Sequence, residues 1–241
     1  MSVNIKDKLT IVIPTYNEEK YIGTTLENLY EQSGIDGVNV IIADANSTDQ
    51  TRIIVERYQT KFEPTLKIRL IDGGKVAYGR NMGSRYVFTK YVLFLDADSQ
   101  LLSKDNILYN INLMEQRDLD LLTCKIKSVG KDFRTNIAFN IFNVINKILS
   151  LHTPFAIGGY FMTKIYKFRG FGMFNEELNN SEDYWLSRHY NPKNFHISKM
   201  KYGQDDRRFK KMGYIKMLKL IILNHINRNN IDYFKKDVGY W

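Results

Sequence analysis

Two aspartates one residue apart, Asp96 and Asp98, interrupt the stretch VLFLDADSQL at residues 92–101, directly after four apolar residues. Carboxylates this close repel and raise each other's pKa unless water or a positive charge intervenes. The pair is therefore either solvated in a turn or placed beside a cation. Residues i and i+2 of an extended segment share a face, but they diverge where a strand ends and the chain turns. One carboxylate can then meet a hydroxyl while the other meets a metal. A carboxylate working with phosphate oxygens suits Mn2+ or Mg2+, which keep much of their shell from water and phosphate. A calcium EF-hand is excluded: a loop starting at Asp96 would need glycine at 101 and glutamate at 107, where Leu101 and Ile107 stand.

A second acidic pair, Glu182 and Asp183, lies in NNSEDYW. Local sequence leaves two uses open, a helix N-terminus stabilised by its dipole and a general base for a hydroxyl. Arg207 and Arg208 in QDDRRFKKMG either grip a diphosphate with their planar forks or decorate a solvated helix face. His189 reads as a solvated helix histidine rather than a metal ligand. Cys124, the single cysteine, sits in the apolar stretch DLDLLTCKI with no Cys or His at metal spacing, and reads as a buried structural thiol.

Such residues need a frame that brings distant segments together. KLTIVIPTYNEE is a β-branched run ended by Pro14, and YIGTTLENLYEQSG follows with helical periodicity and a glycine stop. VNVIIAD then NSTDQTRIIVERYQTKF, LKIRLID then AYGRNMGSRYVFT, and finally YVLFLDAD repeat the alternation, with Asn46, Ser47 and Asp49 as expected caps of the second helix. The pattern predicts an α/β fold with a mostly parallel central sheet and helices on both faces. Ligands of such sheets bind beyond the carboxyl ends of the strands. Tyr16, Asn17 and Glu18, Asp44, Asp72 to Lys75, and Asp96 with Asp98 are all predicted on that rim. Downstream, a helix near 104–116, a strand near 120–127 and the amphipathic segment TNIAFNIFNVINKILSL lead to TPFAIGGYFMTKI and the turn FRGFGMF. No Walker lysine loop, G-x-G-x-x-G or solenoid repeat is present.

A length of 241 residues, 44% hydrophobic and 25% charged, allows one large α/β domain or two small ones. The net charge of +9 invites nucleic acid, an anionic membrane or a phosphorylated ligand. Four acidic or polar strand ends on one rim argue against nucleic acid. No signal pattern is visible, and no window approaches the about 18 apolar residues that span a bilayer. The glycosylation acceptors NST at Asn46 and NNS at Asn179 flank the predicted rim, which with the lone cysteine favours a cytoplasmic setting.

TIVIPTYNEEKYIGTTLENL, VIIADANSTDQT, GGKVAYGRNMGS, YVLFLDADS and GGYFMTK with FRGFGMFNEELNNSEDYWLSRH resemble, in order and spacing, the motifs of family 2 glycosyltransferases. The resemblance covers residues 9 to about 190. It implies a GT-A fold, a Rossmann-like sandwich with a smaller mixed acceptor-side region, and inverting transfer from a nucleotide-diphosphate sugar. Pro14, Tyr16 and Glu18 match the P-x-Y-N-E element, whose aromatic residue packs on the base. Asp44 matches the acid that reads base or ribose, and Arg80 and Asn81 the R-N near the nucleotide. Asp98 matches the metal ligand and Asp96 the partner nearer the ribose. Lys75, Ala97, Gly158 and Gly159 complete the expected nucleotide-sugar set, the glycines by close backbone approach to the donor sugar. Glu182 and Asp183 match the catalytic pair, with Asp183 as general base. Ala45 departs from the family pattern, where many members carry a second acid, so uridine against guanosine stays open, with a UDP-sugar favoured. The alternative reading is an inactive carbohydrate-binding relative, which would be expected to have lost Asp98 or Asp183.

The expected organisation is a catalytic domain over residues 1–200, with a nucleotide-binding half to about 100 and an acceptor-binding half beyond it. Residues 201–241 are expected as a basic amphipathic helical extension, its 205–226 stretch suited either to peripheral contact with the cytosolic membrane face or to packing on the domain. The implied acceptor is a carbohydrate or a lipid-linked hydroxyl, and the implied cofactor Mn2+ or Mg2+.

Overall fold

The computed structural model describes residues 4–130 and 132–236, apart from the side chains of Arg208, Leu218, Ile221 and His225. Its strands are β1 (Leu9–Thr15), β2 (Val38–Asp44), β3 (Leu66–Asp72), β4 (Tyr91–Leu95), β5 (Gln100–Leu101), β6 (Leu121–Ser128), β7 (Tyr160–Lys164) and β8 (Phe195–Gln204). They form one sheet in the order β3-β2-β1-β4-β7-β6-β8-β5. The first four run parallel, whereas β7 is antiparallel to both β4 and β6.

The physical reason for the parallel half is legible in its residues. Every residue of β1 and β4 is buried, as strands covered on both faces require. Alternate side chains feed two cores: Leu9, Ile11, Ile13, Leu93 and Leu95 enter one, Val12, Val92 and Phe94 the other. Edge strand β3 alternates instead, exposing Lys67 and Arg69. Helices α1 (Ile22–Tyr30), α2 (Thr51–Phe62) and α3 (Val76–Ser84) cover this half, while α4 (Asn106–Gln116) packs on β6 and β8.

The order reverses at β1, with β2 on one side and β4 on the other. That is the switch point at which α/β sheets open a crevice. The loops after β1 and β4 therefore face each other. Leu95 pairs with Tyr160, which sets Gly158 and Gly159 beside Asp96 to Asp98.

The remaining helices are α5 (Phe133–Leu149), α6 (Ile165–Gly170), α7 (Glu182–Ser187), α8 (Arg207–Met212), α9 (Tyr214–Ile226) and α10 (Ile231–Lys235). Two features bear on the expected C-terminal extension. The boundary at residue 200 falls inside β8, whose Lys201 to Gln204 pair with Lys125 to Ser128 of β6. In KMKYGQ the lysines point outward at every second position, which is strand rather than helix spacing. The 205–226 stretch is two helices, broken at Gly213 with φ of 82°. Residues 237–241 of the expected extension lie outside the described residues. Among the described residues, no helix is long and apolar enough to cross a membrane.

Candidate active site

Two arginines organise the carboxylates at the switch point. Arg80, carried by α3 and only 1% exposed, donates from Nη2 to Asp96 at 2.8 Å and from Nη1 to Glu182 at 2.6 Å. Burial opposes its charge, but the attraction of Asp96, Glu182 and Asp183 outweighs this and raises its pKa. Arg207, at the start of α8, grips Glu18 through both guanidinium arms at 2.9 and 2.7 Å. Its Nη2 also lies 2.8 Å from Oδ2 of Asp98. The guanidinium stacks over Tyr21 with 4.8 Å to the ring centre.

Asp183 sits at the start of α7, directly after Ser181 and Glu182, where Ser181 takes a left-handed φ of 59°. Its Oδ2 accepts from the Gly158 amide at 2.7 Å and its Oδ1 from the Tyr184 amide at 2.7 Å. Burial, followed by repulsion from Glu182, pushes its pKa up to about 7 despite both amides and Arg80. A carboxylate titrating near neutrality is suited to taking a hydroxyl proton. Glu182 has a different place: it is 6% exposed and engaged by Arg80.

Several expected contacts are redirected. Asp44 is fully buried and accepts from Thr15 Oγ1, from the Ser47 amide and hydroxyl, and from Arg52 Nη1 at 3.1 Å. It presents no surface to a base and instead fixes the loop after β2. Ser47 is thereby drawn away from capping α2; Asp49 alone of the three expected caps meets that helix, through the Thr51 amide at 2.9 Å. Asn81 is buried and braces Phe174 and Glu176. A Cβ on Gly158 would fall 2.7 Å from Nη2 of Arg80, and one on Gly159 2.8 Å from the Tyr202 ring. Their glycine requirement thus comes from the arginine and the tyrosine behind them. His189 stacks on Phe171, its ring centre 6.0 Å away.

Other expected residues stand on the rim. Tyr16 is 61% exposed at the end of β1, beyond the buried Pro14. Lys75 donates to Asn179 at 3.2 Å, linking the loop after β3 to the segment before α7. Ala97 is buried, its carbonyl accepting from Thr25. A cleft of about 350 Å³ lined by Asn17, Glu19, Lys20, Tyr21, Asp49 and Arg207 adjoins the Asp98 pair through Arg207. Arg52 and Tyr202 were not anticipated, because nothing in their local sequence signals the strand ends they reach. Arg208 was, but its side chain lies outside those described.

The carboxylates fit a hard dication as a partial shell. Among the described residues no three His, Cys, Asp or Glu side chains converge on one point. Asp98 with Asp96 would supply one or two oxygen ligands, and the diphosphate and water the rest, once Arg207 yields its place.

The fold is that of the GT-A glycosyltransferases, an α/β sandwich around a curled mixed sheet. The mannosyltransferase PcManGT from Pyrobaculum calidifontis, solved with GDP-Man and Mn2+, superimposes with a TM-score of 0.67 at 19% identity, over 89% of this chain and 64% of that one. Staphylococcus aureus TarS 1-349 with UDP gives 0.60 at 22% identity, over 82% of this chain and 60% of that one. The profile of glycosyl transferase family 2 matches residues 10–172, and the chain belongs to that family. The poly(ribitol-phosphate) beta-N-acetylglucosaminyltransferase TarS of S. aureus strain Mu50 is 31% identical over 124 residues, 51% of this chain and 22% of that protein. The teichoic acid poly(glycerol phosphate) polymerase of Staphylococcus epidermidis is 36% identical over 98 residues, 40% of this chain and 14% of that protein. This chain thus spans less than a quarter of the length of these curated relatives.

Proposed function

We propose that this chain is an inverting glycosyltransferase that moves a sugar from a nucleotide-diphosphate sugar to a hydroxyl acceptor. The observation that carries the reading is Asp183, a carboxylate with its pKa pushed up to about 7, held by the amide of Gly158 beside the Asp96 and Asp98 strand end.

The acceptor hydroxyl is too weakly acidic to attack unaided, so Asp183 takes its proton as the new bond to the anomeric carbon forms. The bond from that carbon to the diphosphate oxygen breaks with its electron pair, and approach from the opposite face inverts the carbon. Tyr16, exposed after β1, would stack on the nucleobase. Glu182 and Arg80 hold Asp96 and the start of α7 in register. A bound Mn2+ or Mg2+, held by Asp98 and Asp96, would neutralise charge on the leaving diphosphate. PcManGT was solved with Mn2+, which supports divalent-metal use here.

TarS was solved with UDP and with UDP-GlcNAc, which supports a UDP-sugar donor. The polyol-phosphate names of the relatives support a hydroxyl on a phosphate-linked or lipid-linked polymer as acceptor. The test is hydrolysis and transfer with a panel of UDP- and GDP-sugars, with and without manganese. Metal-dependent turnover of one donor is expected, with Asp98→Ala losing metal-dependent donor binding and Asp183→Asn retaining binding but losing about 10²- to 10⁴-fold in transfer. Donor binding without any metal response, or full activity in Asp183→Asn, refutes it.

A further inference from the structure

Helix α5 is apolar on two sides. Thr135, Phe139 and Asn146 are buried against the domain, Phe139 edge-on to Phe209 at 5.4 Å. On its outer side Phe133, Ile137, Ile141, Val144, Ile145 and Ile148 are 43% to 70% exposed. At about 100° per residue, these six fall within an arc of roughly 120° facing away from the buried side. Phe133 and five β-branched aliphatic side chains left in water over a 17-residue helix make a contiguous apolar stripe of the kind that marks a contact surface.

The charge around the stripe selects its partner. No acidic residue occurs between Asp132 and Glu176, nor from Arg207 to Ile231, a stretch holding seven lysines and arginines. Helix α9, tied to α5 by the Thr135–Tyr214 hydroxyl contact at 2.6 Å, exposes Lys216 and Lys219 together with Ile215, Ile222 and Ile226. A second copy of the chain would bring this like charge together, with +9 on each molecule. An anionic lipid surface satisfies both features: it takes the apolar stripe below its headgroups and attracts the lysines to them.

We propose that the outer face of α5 seats this protein in the plane of an anionic membrane surface, with the lysines of α9 as the electrostatic component. The contact therefore centres on residues 133–149, with 205–226 in support. Behind it, Asn146 donates to the Phe155 carbonyl at 3.2 Å, and the Phe155 ring packs edge-on to Tyr184 at 5.6 Å, next to Asp183. The seated helix is thus coupled to the side of the site where the acceptor hydroxyl must arrive.

Vesicle flotation tests this without donor or metal, so its outcome is independent of the transfer reading. Wild-type protein is expected to float with vesicles of equimolar phosphatidylcholine and phosphatidylglycerol, and far less with phosphatidylcholine alone. Ile141→Glu with Ile148→Glu replaces exposed residues, so folding checked by circular dichroism should be unchanged while lipid binding falls at least about tenfold. Lys216→Glu with Lys219→Glu should weaken binding to the anionic vesicles alone. The proposal fails if the wild type does not bind either vesicle, or if the paired isoleucine variant binds as well as wild type. It also fails if the wild type sediments as a dimer that this variant dissociates without lipid binding ever being seen.

Discussion

Arg80 and Arg207 do the same thing in different surroundings. Each bridges two carboxylates at the switch point, Asp96 with Glu182 in one case and Glu18 with Asp98 in the other. The carboxylates are buried in both cases, 15% and 8% exposed around Arg80 and 14% and 2% around Arg207, so the contrast lies in the guanidinium, 2% exposed in Arg80 and 35% in Arg207. Burial makes the difference. A guanidinium sealed among carboxylates cannot leave without stranding charge in a medium of low polarity, whereas one open to water can exchange its partners at little cost. Arg80 is therefore part of the frame, and Arg207 is a displaceable counter-charge over Glu18 and Asp98.

The sharpest way to break that contrast is to remove each arginine in turn. Arg80→Met should cost about 3–5 kcal/mol of unfolding free energy, the range for losing one partner of a buried ion pair. Urea denaturation measures it, and a loss below about 1 kcal/mol would show that water reaches Asp96 and Glu182.

The next effect concerns Asp183, which Arg80 helps to hold. Its native pKa of about 7 lies above the 3.8 of an ordinary aspartate. The stability this group confers is fully present below pH 3.8 and is lost as pH rises to about 7. Asp183→Asn should then raise the melting temperature relative to wild type at pH 8 and lose that advantage near pH 4, while transfer by the wild type rises through pH 7 and levels off. A flat wild-type rate profile between pH 5 and 9 would count against Asp183 as the base.

The smallest stability effect is expected for Arg207→Ala, below the Arg80→Met loss, because the guanidinium is part-solvated and its removal opens the buried Asp98 to water. Its signature should lie in binding: Mn2+ affinity in the absence of donor, followed by electron paramagnetic resonance, should rise once the competing guanidinium is gone. Unchanged or weaker Mn2+ affinity would place Arg207 outside the cation's position.

Much of the catalytic frame was legible in the sequence. TIVIP, VIIAD and VLFLDAD are apolar runs closed by polar residues, and each became a buried strand with its last residues on the rim. The glycine pair and the acidic pair also arrive together, joined by the Gly158 amide and Asp183. What was not legible was the use of particular side chains. Asp44 and Asn81 match motif positions, yet both are consumed by neighbours, Arg52 and the 174–176 segment, whose approach no local pattern announces. Lys201 to Gln204 adjoin a basic stretch in the sequence, and only β6, their partner strand, shows that they belong to the sheet.

The sequence by itself determined the strand and helix alternation, the strand-end carboxylates and the family, since those depend on local periodicity and on residues close together in the chain. Only the tertiary structure decided how the charges are neutralised. Arg80 meets Glu182 across 102 residues and Arg207 meets Glu18 across 189, and whether each arginine is locked or displaceable follows from the burial that packing imposes on it. The same holds for α5, read in the sequence as an amphipathic segment, where the fold alone shows which face is packed and which is left to water.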